Sequence, residues 1–225
     1  MTPTIAAIVP MRHESERVPG KNYRRLGDRP LFHHIVETLL AVPAISTVLI
    51  DTDSELIKDG ARQDFSTVRI LDRPEHLRDG LVPMNEVLLH DVRQIGADLY
   101  LQTHSTNPLL RSDTVAAAIE RYLDAADNDS LFGVTRLQTR LWGEDGEPIN
   151  HDRNVLMRTQ DLPPVFEENS CLYLFTRDTL ERRGNRIGER PILFEIPRDE
   201  AWDIDEEVDF QVVEALYAHQ AQQGA

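Results

Sequence analysis

Short, β-branched apolar runs alternate with segments of helical period from residue 5 to residue 134, and this alternation restricts the chain to few architectures. Such runs are typical of strands buried on both faces, whereas the segments between them place apolar residues along one side of a helix. Strand followed by helix, repeated, predicts an α/β fold with a doubly wound, mostly parallel sheet. Strands are predicted at 5–9, 47–50, 68–71, 98–101 and 131–134, and helices from Pro30, from near Glu55, over 85–95 and over 113–123.

The alternation stops after residue 135. Residues 136–168 are polar and rich in turn formers, including Gly143, Gly146 and the Pro163-Pro164 pair, so we expect an insertion or β-arm there. A chain of 225 residues fits one domain over 1–225 that contains this arm. The remaining predicted elements are strands at 171–175 and 192–196, a final helix over 208–219, and a fraying end at 220–225.

Composition excludes several classes of function. The 24 Lys and Arg residues against 39 Asp and Glu give a net charge of −15, which opposes general affinity for nucleic acid or an anionic membrane. No apolar run approaches the ~20 residues that span a bilayer, and no signal-peptide pattern is present. Cys171 is the single cysteine, so neither a disulfide framework nor a cysteine zinc site is expected. We therefore expect a cytoplasmic globular protein.

The loop after the first strand carries a local excess of positive charge. Residues 12–25 contain five basic and two acidic side chains, against the acidic background of the chain. Ligands of open α/β sheets bind beyond the carboxyl ends of the strands, where this loop lies. Arginine, lysine and loop amides suit phosphates, although the loop matches neither the GxxxxGK[ST] nor the GxGxxG pattern. A solvated, arginine-rich loop is the alternative interpretation.

Two Asp-x-Asp segments are candidates for a metal site. Asp203 and Asp205 precede the final helix, and in an extended segment their carboxylates point the same way. They would share a hard cation with phosphate oxygens, or one of them would cap the helix. Asp51 and Asp53 form the second pair, in which Asp53-Ser54 also fits a helix cap.

Several blocks occur in the order found in the acylneuraminate cytidylyltransferases, which include the CMP-sialic acid synthetases, and the chain resembles this family over nearly its whole length. The blocks are Arg12-x-x-Ser15-x-x-x-Pro19-x-Lys21-Asn22 directly after IAAIVP, Leu26 to Leu31, Ile50 to Glu55, Arg73-Pro74-Glu75-x-Leu77, Leu101 to Leu109, Asn169 to Tyr173, and Asp203 to Asp209.

The resemblance implies a Rossmann-like, GT-A-like nucleotidyltransferase sheet and a defined reaction. CTP and a nonulosonic or other 2-keto sugar acid would give a CMP-sugar and pyrophosphate, by in-line attack of the anomeric hydroxyl on the α-phosphate. The resemblance further implies a homodimer in which the 136–168 arm reaches the partner. The catalytic residues that it implies are Arg12, Lys21 and Asp205.

The resemblance also assigns nucleotide-binding residues. Arg12 and Lys21 would hold the triphosphate, with help from Ser15 and loop amides. Asn22 would contact the nucleotide or fix the loop, and Arg73 would meet the nucleotide or its phosphates.

Metal and sugar ligands are implied in the same way. Asp203 and Asp205 would bind Mg²⁺ or Mn²⁺. Gln102 and Asn169 would contact the sugar acid, and Arg158 would bind its carboxylate, since arginine suits a bidentate carboxylate contact.

The chain departs from the family on the sugar side. Glu167 and Glu168 stand where sialic acid enzymes carry a basic run, and the 102–108 loop is longer. Such carboxylates would repel a sugar carboxylate or recognise hydroxyl or amino groups, so the identity of the acid stays open. Two alternatives also stay open: a GT-A-like glycosyltransferase that uses Asp51 and Asp53, and a non-catalytic nucleotide-binding protein.

Overall fold

A computed structural model describes residues 3–223. Within this range six α-helices and nine strands follow the predicted alternation. The strands are β1 (Ile5–Met11), β2 (Arg25–Leu26), β3 (Arg29–Pro30), β4 (Thr47–Thr52), β5 (Arg69–Asp72), β6 (Leu99–Thr103), β7 (Ser130–Leu137), β8 (Val165–Phe175) and β9 (Pro191–Glu195). The helices are α1 (Leu31–Leu40), α2 (Glu55–Asp64), α3 (Met84–Gln94), α4 (Ser112–Leu123), α5 (Arg177–Arg183) and α6 (Glu207–Gln223).

Seven strands form the central sheet, in the order β5-β4-β1-β6-β8-β7-β9. Strand β1 pairs in parallel with β4 and β6, whereas β8 runs antiparallel to both of its neighbours. The prediction of a doubly wound, mostly parallel sheet is therefore confirmed. The two short strands β2 and β3 form a separate hairpin within the first loop.

Alternate side chains of β1 are buried on opposite faces of the sheet, as the period of a strand requires. Ala7 and Val9 pack in the core cluster that includes residues of α1, α2 and α4. Ala6 and Ile8 pack in a second cluster, with residues of α3 and Leu180 of α5. All seven residues of β1 are buried, and this explains why the strand reads as a continuous apolar run.

The arm differs in its boundaries from the prediction. Residues 136–137 continue β7 and residues 165–168 begin β8, so the arm is the 138–164 excursion of a long antiparallel hairpin. Pairing with a neighbouring strand extends both strands into polar sequence, where alternation alone gives little signal.

Two helical regions also differ from the prediction. Helix α5 was missed because it has only seven residues; Thr176 caps it by accepting a hydrogen bond from the Thr179 amide (3.1 Å), and Gly184, at φ +63°, ends it. Helix α6 continues to Gln223, so the predicted fraying is wrong for residues 220–223, and 224–225 lie outside the described residues.

Candidate active site

A cavity of about 380 Å³ opens at the carboxyl ends of the central parallel strands. The loop after β1 supplies most of its wall, and the loop after β6 closes one side with His104, Ser105 and Thr106. All five predicted nucleotide-binding residues line this cavity, four of them after β1 and one after β5: Arg12, Ser15, Lys21, Asn22 and Arg73.

The loop after β1 is fixed by hydrogen bonds to its neighbours. Asn22 donates from Nδ2 to the Arg12 carbonyl (2.7 Å), and its Oδ1 accepts from the Ser105 hydroxyl (2.7 Å). Ser15 Oγ accepts from the Val18 amide (3.4 Å) within the same loop. Asn22 therefore joins the loop after β1 to the loop after β6. This arrangement is suited to its predicted role of fixing the loop.

Lys21 connects this loop to the segment before α6. Its ammonium group is buried and donates a hydrogen bond to the carbonyl of Ile204, between Asp203 and Asp205. Burial lowers the pKa of Lys21, and the charges of the two aspartates oppose that shift. A cation fixed at the wall of this cavity, beside two carboxylates, is suited to holding a polyphosphate.

Asp203 and Asp205 border a second cavity of about 400 Å³. Oδ1 of Asp203 is buried without a hydrogen-bond partner, and burial raises the pKa of this carboxyl, an effect that a hydrogen bond from Thr106 opposes. Asp205 accepts from Arg17 (2.6 Å) across an exposed ion pair. Neither aspartate caps α6.

The cap comes from Asp209, a residue that the sequence analysis left without a role. Its Oδ2 accepts from the amides of Asp205 (3.0 Å) and Glu206 (2.7 Å). This reversed cap satisfies amides at the N-terminus of the helix and leaves both carboxylates of the Asp203–Asp205 pair clear of that role.

The residues present fit a divalent cation. Within residues 3–223 no cluster of three or more His, Cys, Asp or Glu side chains is arranged as a metal site. Mg²⁺, however, takes one or two carboxylates and completes its coordination with substrate phosphates and water. The orphaned Oδ1 of Asp203 and the nearby carboxylate of Asp205 are of the type that would supply them.

The second Asp-x-Asp segment is occupied by protein groups. Oδ2 of Asp51, a fully buried residue, accepts from Nε of Arg73 (2.7 Å) and pairs with its NH2 (2.7 Å). Asp53 accepts from the His13 amide (2.7 Å), and Ser54 caps α2. The guanidinium of Arg73, predicted to meet the nucleotide, thus lies against Asp51 at the cavity wall.

The predicted sugar-binding residues are separated in this chain. Gln102 is buried, with Nε2 2.9 Å from Nε2 of His104. Asn169 lines the second cavity and donates to Thr135 Oγ1 (3.1 Å). Arg158 lies on the exposed arm, where it pairs with Asp161 (2.6 Å), so the structure does not bring it to the others.

A β-bulge places Asn169 and its neighbours. The register between β7 and β8 shifts between Phe132 and Val134, and Ser170 adopts φ +58°, a left-handed conformation that is uncommon outside glycine. Bulges re-aim side chains next to active sites. Glu167 and Glu168 border the same cavity as Asn169 and the aspartate pair.

Arg186 and Asp91 were missed by the sequence analysis. Arg186 donates from NH1 to Oε1 of Gln102 (2.5 Å), and Asp91 is fully buried beside the Asp51–Arg73 pair. Arg186 follows a short helix and lies in none of the recognised blocks, so no local pattern marks it. The signal for Asp91 was a carboxylate on the apolar side of a predicted helix.

The chain is similar in sequence to known nucleotidyltransferases. The family model described as Cytidylyltransferase matches residues 6–222. The CMP-N,N'-diacetyllegionaminic acid synthase of Legionella pneumophila is 26% identical over 94% of this chain and 95% of that protein. The pseudaminic acid cytidylyltransferase of Campylobacter jejuni is 23% identical over 93% and 94%, respectively.

A solved structure supports the fold. That of a CMP:2-keto-3-deoxy-manno-octonic acid synthetase complexed with CTP superposes with a TM-score of 0.73 at 18% identity, over 96% of this chain and 99% of that one. None of the helices in residues 3–223 is long and apolar enough to cross a bilayer. Because a single family model spans nearly the whole chain, this chain belongs to the cytidylyltransferase family.

Proposed function

We propose that this chain activates a 2-keto sugar acid of the nonulosonic type with CTP, giving a CMP-sugar and pyrophosphate. One observation carries the proposal: Lys21 extends from the basic loop to the backbone between Asp203 and Asp205, beside both cavities. The relatives support it, because their names describe CMP-sugar acid synthesis.

The chemistry is an in-line displacement. The anomeric hydroxyl attacks the α-phosphorus, the bond to the pyrophosphate oxygen breaks, and the hydroxyl proton passes to solvent. Such a transfer depends on positioning and on neutralising phosphate charge. Arg12 and Lys21 supply positive charge at the first cavity, and Asn22 keeps their loop in register with Ser105.

Asp203 and Asp205 would hold the divalent cation, Mg²⁺ or Mn²⁺, which when bound supplies further charge neutralisation on the phosphates. Lys21 keeps the segment between them in place through the Ile204 carbonyl. The glycosyltransferase alternative has less support, because Asp51 and Asp53 already bind Arg73 and the His13 amide.

The test is pyrophosphate release with Mg²⁺, with CTP, UTP, ATP and GTP offered against legionaminic, pseudaminic, N-acetylneuraminic and 2-keto-3-deoxy-octonic acids. We expect release with CTP and one acid class. Lys21→Met should lower kcat/KM by about 10²–10³-fold, the loss typical of removing one charge-stabilising donor.

Lys58→Met is the matched control. Lys58 is the only other lysine and is also buried, but it pairs with Glu55 (2.8 Å) and Asp72 on α2 and β5, away from the cavity lining. It should keep the activity of the parent. Release without any acid, or full activity in Lys21→Met, would contradict the proposal.

We further propose a homodimer formed through the 138–164 arm. Ile149 and Leu156 on this arm are 63% and 91% exposed. Association of two copies through the arm would bury this apolar surface. Leu156→Asp should shift the molar mass measured by light scattering toward the monomer. Use of CTP, a metabolite of the cytoplasm, supports a cytoplasmic location.

A further inference from the structure

Arg186 occupies a cradle made of neutral groups. Its Cζ lies 3.5 Å from the centroid of the Tyr173 ring, and its NH1 donates to Oε1 of Gln102 (2.5 Å). Its backbone amide donates to Oδ1 of Asn85 at the start of α3 (3.2 Å). Two strands, β6 and β8, therefore hold this side chain, while α3 holds the backbone of the residue, which lies in the loop between α5 and β9.

The charge of Arg186 is not balanced by an ion pair. Among the residues that the structure describes, no carboxylate forms a salt bridge with its guanidinium. Glu168 acts on it only at longer range and itself accepts a hydrogen bond from the Tyr173 hydroxyl. Burial lowers the pKa of Arg186. A half-buried guanidinium with five donors and neutral partners keeps the capacity to bind an anion.

The partners of Arg186 contact residues that line the two cavities. Gln102 also contacts His104, which lines the first cavity. Tyr173 contacts Glu168 and Ser170, which line the second. Arg186 thus lies behind the walls of both cavities, between His104 of the first and Glu168 of the second.

The surrounding charge adds a second argument. Five carboxylates border the second cavity, and its lining contains no basic side chain to offset them. An anionic acceptor entering there would be repelled, so a nearby cation is needed to admit it. Arg158 does not serve within this chain, because it pairs with Asp161 on the exposed arm.

We propose that Arg186 is the specificity-determining residue that binds the carboxylate of the acceptor sugar acid, an inference that rests on the proposed function. In a 2-keto sugar acid the carboxylate is attached to the anomeric carbon, so its binding site must adjoin the reacting hydroxyl. The planar guanidinium provides a bidentate match to it. Tyr173 and Gln102 fix the plane of the guanidinium while the substrate is absent.

The test compares the acid that the parent enzyme turns over with the carboxamide of the same sugar. Arg186→Gln should raise KM for the acid about 100-fold, the effect of removing one partner of a desolvated charge pair, and leave KM for CTP unchanged. The parent should prefer the acid over the carboxamide, and Arg186→Gln should lose that preference. Arg186→Lys keeps the charge without the fork and should give an intermediate KM.

Arg183→Gln is the matched control, because Arg183 lies on the neighbouring helix α5 and pairs with Glu189 at the surface (2.6 Å), and it should retain the parent's preference for the acid. If Arg186→Gln folds, as judged by near-UV circular dichroism, and still prefers the acid, the inference is wrong while the proposed function stands. If Arg186→Gln does not fold, Arg186→Lys provides the test. An unchanged KM of Arg186→Lys for the acid would then refute the inference. A parent enzyme that turns over no acid would refute the proposed function, and the inference with it.

Discussion

We expect that replacing Asp91 with asparagine will remove part of the pH dependence of the free energy of unfolding. Asp91 is fully buried on α3, with Oδ2 unpartnered and Oδ1 3.3 Å from Nδ1 of His90. Burial, followed by the charge of Asp51, raises the pKa of Asp91 to about 8, and Arg73 opposes the shift. Because Arg73 contacts Asp51, we assign the proton to Asp91.

The sign of the effect follows from proton uptake. An aspartate in the unfolded chain has a pKa of about 3.9, so between these two values the folded state holds a proton that the unfolded state lacks. The free energy of unfolding then falls as pH rises, by about 1.4 kcal/mol per pH unit. Between about pH 5 and pH 7 this contribution amounts to about 2.7 kcal/mol. Asparagine has nearly the same shape and no proton to lose.

The measurement is urea unfolding of the parent and Asp91→Asn at several pH values in that range. The difference between their free energies of unfolding should grow with pH by the amount given, with Asp91→Asn gaining. Asp98→Asn is the control, because hydrogen bonds from Thr4 lower the pKa of this exposed carboxyl; its contribution is present above the unfolded pKa and changes only in acid. Parallel curves for the parent and Asp91→Asn would refute the assignment of the proton.

Two further substitutions test the geometry of the site. Ser170 has φ +58°, a conformation that strains a branched side chain and suits glycine. Ser170→Gly should therefore leave the free energy of unfolding unchanged or raise it by up to about 1 kcal/mol, whereas Ser170→Val should lower it by about 1–2 kcal/mol. Equal stabilities of the two variants in chemical denaturation would contradict this. Gly80→Ala would place a Cβ 2.5 Å from NH1 of Arg12, so the guanidinium would have to move. We expect KM for CTP to rise about 10-fold or more, with little change in melting temperature. An unchanged KM would contradict the assignment of Arg12 to the nucleotide.

The basic loop shows how much of the site the sequence could predict. Arg12, Ser15, Lys21 and Asn22 follow one buried strand, and the carboxyl edge of a parallel sheet gathers such loops. Their grouping in one cavity is therefore a local consequence of the strand that precedes them. The sequence could not identify the cap of α6, because Asp203, Asp205 and Asp209 are equally plausible by type and only backbone geometry selects Asp209.

The sequence by itself determined the order of strands and helices, since burial on two faces of a sheet and along one side of a helix leaves a periodic record in neighbouring residues. Only the tertiary structure decided which polar group each charged side chain contacts, because that depends on contacts between distant segments. Gln102 and Arg186 are 84 residues apart in the chain, and Asp51 and Arg73 are 22 apart. Burial makes such contacts matter, because a charge removed from water requires a partner, and that partner need not be near in sequence.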